Sequence, residues 1–269
     1  MIESVEGNVA AVHDDIPTVR VVDIPLFDGS IEDAASIVMQ QILAGTKNSY
    51  CISATGAHGI VTARKEELFR KTLNGFYINL PDGMPGVWAG RLKGSGKMRR
   101  CYGPDFFAHM MKTTAGSSVK HYFCGGREGV ARKLKEACAR KFGNHNIGGF
   151  FSPPFREMTD AELAELSADI EQNQTDILWI GISTPKQEKF AERIAKVCKV
   201  HFIVTVGAAF DFHIGNVRQA PGFVQSIGME WFYRLCMEPS RLWKRYVEIV
   251  PLFIFYNLSE FFYVNKNNS

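Results

Sequence analysis

The chain has 269 residues, 46% of them hydrophobic, and a formal net charge of +3. That length suits one large domain with at most a small appendage, and the apolar share supplies a sizeable core, which excludes wholesale disorder. So slight a positive charge makes no case for nucleic acid, and no nucleic-acid partner is expected.

The opening MIESVEGNVAAVHDD lacks the basic and apolar regions of a signal peptide, so residues 1–18 read as a flexible tail. Ser30 stands three residues before Asp33 in a capping-box spacing and marks a first helix. Strand candidates follow at 49–56, 76–81, 119–125, 146–152, 176–183 and 200–207. Several are apolar without alternation, as in parallel strands covered on both faces. Between them lie amphipathic stretches with helix starts of their own: Thr159 with Glu162 three residues on, and Thr184 before Pro185 as a first-turn residue. Strand–helix alternation predicts an α/β doubly wound domain over 19–220.

From 221 to 269 the character becomes helical. The segment 247–264 is aromatic and apolar, but Glu248, Pro251, Asn257 and Glu260 interrupt it, and a membrane span needs ~20 uninterrupted residues. Arg234, Arg241, Lys244 and Arg245 lie among Trp231, Phe232, Tyr233 and Trp243, a mixture suited to a membrane interface and equally to helices packing on the sheet. Cys51, Cys101, Cys124, Cys138, Cys198 and Cys236 form no CxxC pair and sit in apolar segments, which reads as reduced core thiols of a cytoplasmic protein.

Four segments can carry chemistry. Asp82 and Gly83 follow a strand directly, where α/β sheets bind ligands; Asp82 is either a base for an attacking hydroxyl or a helix cap. The run from Arg91 to Arg100 has five cations and no acid, and reads as an anion-holding or a solvated loop. In FCGGREGVARKL, Gly125 and Gly126 end a strand, with Gly129 expected inside the next helix's first turn, a turn that lets phosphate approach backbone amides. In VGAAFDFHIGNVRQAP, Asp211 and Arg218 cluster after a strand end, with His213 more plausibly structural. No DxD triplet, GxSxG elbow, HExxH or spaced Cys/His set occurs, so neither a metal nor a cofactor is expected.

Taken in order, DGMPGVWAGRLKG, GPDFF, FCGGREGVA, GISTPKQEKF, VGAAFDFHIGNVRQAP and GMEWFYRLCMEPSRLWKRY resemble the WecG/TagA/CpsF family, glycosyltransferase family 26, from about residue 49 to 246. The resemblance implies a Rossmann-like α/β catalytic core over 19–220 and a C-terminal appendage over 221–269 that associates with the cytoplasmic face of the plasma membrane. It implies an inverting, metal-independent enzyme moving a hexose or N-acetylhexosamine from a UDP-sugar to a glycan on polyprenyl diphosphate. It makes Asp82 the general base and Gln187 and Glu188 substrate ligands. Arg234, Arg241 and Arg245 then meet lipid or diphosphate. Gly83, Arg91, Gly103, Asp105, Gly125, Gly126, Asp211 and Arg218 complete the expected binding set. Where the family has Thr-x-Asn at the end of its first strand, this chain has Ser53 and Thr55; where many members have a basic residue before Ala-Pro, it has Gln219, with Arg218 one residue earlier. These departures lean toward exopolysaccharide-type members and leave the donor sugar open. The sequence also leaves a homo-oligomer open. The rival readings are a non-catalytic nucleotide-sugar-binding scaffold and, with no GxGxxG to support it, a nicotinamide-dependent oxidoreductase.

Overall fold

The computed structural model describes residues 16–267; the side chains of Ser226, Arg241 and residues 262–267 lie outside the description. Residues 1–15, most of the expected tail, also lie outside it, and Thr18 already belongs to a strand.

Thr18–Val21 (β1) and Ile24–Phe27 (β2) form an antiparallel hairpin that the sequence reading does not anticipate. No Asn-Gly or Asp-Gly marks its turn, yet Val22 and Asp23 take φ of 48° and 67°, as a two-residue hairpin turn requires. Packing holds the valine in this unfavourable region: it is 4% exposed, and Val21, Ile24 and Leu26 beside it are fully buried.

The rest alternates helix and strand. In order come Ile31–Leu43 (α1), Tyr50–Thr55 (β3), Ala57–Lys65 (α2), Glu67–Asn74 (α3), Ile78–Pro81 (β4), Met84–Leu92 (α4) and Gly103–Thr113 (α5). Then follow His121–Gly125 (β5), Val130–Phe142 (α6), Ile147–Phe151 (β6), Asp160–Gln172 (α7), Ile177–Gly181 (β7), Lys186–Ala195 (α8) and Phe202–Thr205 (β8). Ala209–Ile214 (α9), Gly222–Ser226 (α10), Glu230–Met237 (α11) and Pro239–Asn267 (α12) close the chain. The six expected strands are β3 to β8, and they make one parallel sheet in the order β4-β3-β8-β7-β5-β6. The fold is the expected Rossmann-like α/β class.

Strand pleating sends alternate residues to opposite faces. Leu178 and Ile180 of β7 join a core with Ile60, Phe69 and Ile194, while Ile177 and Trp179 join another with Phe106, Phe107 and Phe210. In the second core Trp179 meets Phe107 edge to face, with ring centroids 4.9 Å apart. The buried His121 is locked between the Trp179 indole N–H, which donates to its Nδ1 at 3.0 Å, and Thr114 Oγ1, 2.8 Å from its Nε2. Five cysteines are buried as expected; Cys236 is exposed instead, because α11 sits on the surface.

The caps of α1 and α7 form as the sequence predicts, each a complete capping box. Two expectations at helix starts fail. Thr184 does not cap α8: the Thr184–Pro185 peptide is cis, Pro185 holds the N-cap position, and the Thr184 hydroxyl turns to Glu188 at 2.9 Å. Gly129 is not inside α6 but is its N-cap, at φ 82°.

The last helix packs on α2 rather than on the sheet. Leu242, Ile249 and Phe253 are buried, at the spacing of one helical face. Lys65 pairs with Glu248 and Lys93 with Glu260, tying α12 to α2 and to the end of α4. Trp243, Val247 and Phe255 remain exposed on the outer side, while Ile254 and Leu258, also exposed, border a cleft over the strand ends. Among the described residues, no helix is long and apolar enough to cross a membrane.

Candidate active site

A cleft of roughly 1320 Å³ opens over the carboxyl ends of β3, β4, β5, β7 and β8, where Ala54, Asp82, Gly126, Gly181 and Gly207 form its floor. Strand ends are the natural place for it, because the connections there part to either side of the sheet.

Asp82 extends β4 by one residue, its N–H donating to Thr55 O at 3.1 Å. It caps no helix: Gly83, at φ 104°, is the residue before α4, and this backbone region suits glycine. The carboxyl side chain is therefore left for the cleft. Burial, and after it the Glu230 carboxylate, push its pKa up from 3.8 to about 7, against the opposing pull of Arg100, Arg234 and the Gly103 N–H. A group so poised exchanges protons at neutral pH.

The cationic side of this wall comes from two places. Arg100 lies over the Tyr102 ring at 4.3 Å and pairs with Glu230 at 2.6 Å. Arg234 of α11 sits over Phe212 at 5.7 Å, and its buried Nε has no hydrogen-bond partner among the described residues. Arg100, Tyr102 and Glu230 were not singled out from the sequence. Arg100 is one of five cations in a run, and only its place three residues before the helix-starting GPDFF distinguishes it. Arg91, the residue expected from that run, points away and donates to Met98 O at 3.1 and 3.3 Å.

The strand-to-helix turn after β5 is built around close approach. A Cβ on Gly125 would lie 2.5 Å from Gly181 O, and the Gly126 amide already donates to that oxygen at 3.0 Å. The Gly126 amide is thus occupied, and Gly126 and Arg127 line the cleft while Gly125 does not. Gly103 opens α5 tightly, where a Cβ would meet Val206 O at 3.0 Å.

Other expected residues separate into two layers. Ser53 and Thr55 are buried beneath the floor, since pleating turns Ala54 and Gly56 to the cleft instead. Ser53 donates to Glu188 Oε1 at 3.4 Å, and Gln187 Nε2 reaches the same oxygen at 2.8 Å. Gln187 Oε1 in turn accepts the Gly207 N–H at 3.0 Å. Gln187 borders the cleft, whereas Glu188, 1% exposed, lies behind it with Oε2 unbonded among the described residues. Burial raises its pKa above the usual carboxylate value, opposed by its hydrogen bonds to Gln187, Thr184 and Ser53.

Asp211 and Arg245 line the cleft. Asp105 lies outside the lining, 3.8 Å from Arg100 and holding Gln219 at 3.2 Å, and Arg218 is exposed on the surface beyond it. The Arg241 side chain lies outside the described residues. His213 is structural, bonded to Pro104 O at 2.9 Å and stacked on Phe107.

At the far end, between α4 and α12, the lining is apolar: Trp88, Leu92, Ile249, Phe253, Ile254 and Phe261. The cleft thus runs from a charged pocket at the strand ends to a greasy trough.

Two curated proteins are similar to the chain. An N-acetylglucosaminyldiphosphoundecaprenol N-acetyl-beta-D-mannosaminyltransferase of Bacillus subtilis (strain 168) is 25% identical over 198 residues, 74% of this chain and 75% of its own. A protein of the same description from Bacillus spizizenii is 24% identical over 222 residues, 82% of this chain and 84% of its own. The model of the glycosyl transferase WecG/TagA/CpsF family matches residues 19–267, and the chain therefore belongs to that family of glycosyltransferases.

Proposed function

We propose that this glycosyltransferase moves a hexose or N-acetylhexosamine from a UDP-sugar to a glycan carried on polyprenyl diphosphate, with inversion at the anomeric carbon and without a metal in the chemical step. The observation that carries the reading is Asp82, a carboxyl with a pKa near 7 on a cleft wall that also holds Arg100 and Arg234. Asp82 takes the proton of the acceptor hydroxyl as its oxygen bonds to the anomeric carbon. The bond from that carbon to the UDP oxygen breaks on the opposite face, and UDP leaves with the electron pair. Arg234 and Arg127 meet the charge that grows on the diphosphate. The apolar trough between α4 and α12 suits the first isoprene units of the acceptor. The exposed aromatic face of α12 supports the reading of a peripheral protein at the cytoplasmic surface of the plasma membrane.

The relatives' description makes N-acetylmannosamine the first donor to test. Purified protein is incubated in EDTA with a panel of UDP-hexoses and UDP-N-acetylhexosamines and a short-chain prenyl-diphosphate N-acetylglucosamine. UDP release and the lipid product are followed by mass spectrometry. A glycosylated lipid is expected. UDP binding without turnover across the donor panel, with this acceptor and with short-chain prenyl-diphosphate hexoses in its place, would refute the transfer reading and favour a binding scaffold.

A further inference from the structure

Asp82 takes part in no ion pair among the described residues, although two arginines line the same wall. The reason lies in how Arg100 is held. One of its terminal nitrogens donates to Glu230 Oε2 at 2.6 Å and the other to Gln225 Oε1 at 2.9 Å, with Asp105 of α5 3.8 Å from that second nitrogen, so both are engaged by α10, α11 and the start of α5. The side chains of Arg100 and Glu230 are only 15% and 13% exposed. The second Glu230 oxygen is buried with no hydrogen-bond partner among the described residues.

We propose that Glu230 is a positioning residue for Asp82: by engaging Arg100 it keeps that guanidinium from pairing with Asp82, and its own charge keeps Asp82 receptive to a proton. A carboxylate paired with arginine is a poor base, because the pair stabilises its ionised form. This inference rests on the reading of Asp82 as the base, and Glu230 acts through Asp82 without touching substrate. The charged and titratable groups facing Asp82 are Glu230 and Arg234 from α11, and Arg100, Cys101 and Tyr102 from the segment before α5. The starts of α2 and α5 present Gly56 and Gly103 there, which carry no side-chain charge.

The test is a carbon-13 carboxyl titration of the full-length protein labelled at aspartate, with the Asp82 signal assigned by its loss in Asp82→Asn. In the unsubstituted protein it titrates near pH 7. In Glu230→Gln, which keeps a hydrogen bond to Arg100, the midpoint falls by about one pH unit. In Glu230→Asp, which keeps the charge, it stays near the original value. An unmoved midpoint in Glu230→Gln, or an equal fall in Glu230→Asp, overturns the inference. The pH profile of turnover, with UDP-N-acetylmannosamine and the short-chain acceptor, separates the two readings. An acid limb that follows the midpoint supports both; one that stays put while the midpoint moves overturns Asp82 as the base.

Discussion

Replacing Asp82 by asparagine should make the protein more stable while making it a worse enzyme. An acid whose folded pKa is raised is favoured in its protonated form by folding. Its contribution is therefore fully present below the unfolded value of 3.8 and is lost as pH rises through about 7. A rise of that size is equivalent to about 4 kcal/mol at pH 8 if the group were wholly sealed from water. The cleft wets one side of Asp82, and about 2 kcal/mol is the working figure. Asparagine has nearly the same shape and no charge to bury. The variant should therefore match the parent near pH 4 and exceed it increasingly up to pH 8, by roughly 4–8 °C in Tm for a domain of this size. Differential scanning calorimetry at pH 4, 6 and 8 measures the gap. A gap that is absent at pH 8, or the same at every pH, would show that the carboxylate is not held against its own ionisation, and the argument for it as a neutral-pH base would fall. The same variant should lose ~10²–10⁴-fold in turnover while still binding UDP by calorimetric titration.

Gly125→Ala places a methyl group 2.5 Å from Gly181 O at φ 150°; it should cost about 1–3 kcal/mol in urea unfolding, and an unchanged midpoint would contradict the turn described. His121 is held neutral by burial, down to about pH 3, whereas the unfolded chain takes up a proton below 6.5. Stability should thus fall as pH drops from 6.5 toward 3, by up to about 4–5 kcal/mol, and His121→Gln should flatten that slope in urea titrations across the range. Phe255→Ser with Val247→Ser, at positions 62% and 65% exposed and outside the cleft lining, should weaken sedimentation with anionic liposomes and shift stability by no more than ~0.5 kcal/mol each. Equal sedimentation would argue against a membrane-facing α12. Truncation before Val247 is a poorer test, because it also strips Ile249 and Phe253 from the core.

The sheet could be read from the sequence because its strands, the edge strand β6 excepted, are buried on both faces and so are largely apolar, and because Ser30 and Thr159 start helices by a local spacing rule. The hairpin could not, since Val22 and Asp23 adopt their turn under pressure from tertiary packing. At the site, the strand-end aspartate was visible, but the parity of β3 was not: a shift of one residue decides whether Ser53 and Thr55 or Ala54 and Gly56 face the cleft. Charge runs carry no orientation, so the sequence favoured Arg91 over Arg100. Glu230 is a single acid in an aromatic stretch, and only the approach of α11 to Arg100, 130 positions away, reveals its place.

The position of β8 bears on how the molecule is made. The last strand in the chain lies between β3 and β7, joining Tyr50 to Phe202 on one side and Ile177 to Phe202 on the other. Until it is synthesised, β3 with β4 and β5 with β6 and β7 are two half-sheets with exposed edges and no strand in common. Folding must then wait for about three quarters of the chain to emerge, with its decisive contacts among the most distant in sequence, a topology that folds slowly and leaves strand edges open to aggregation meanwhile. A chain that stops short of Phe202 keeps the two halves but nothing to join them.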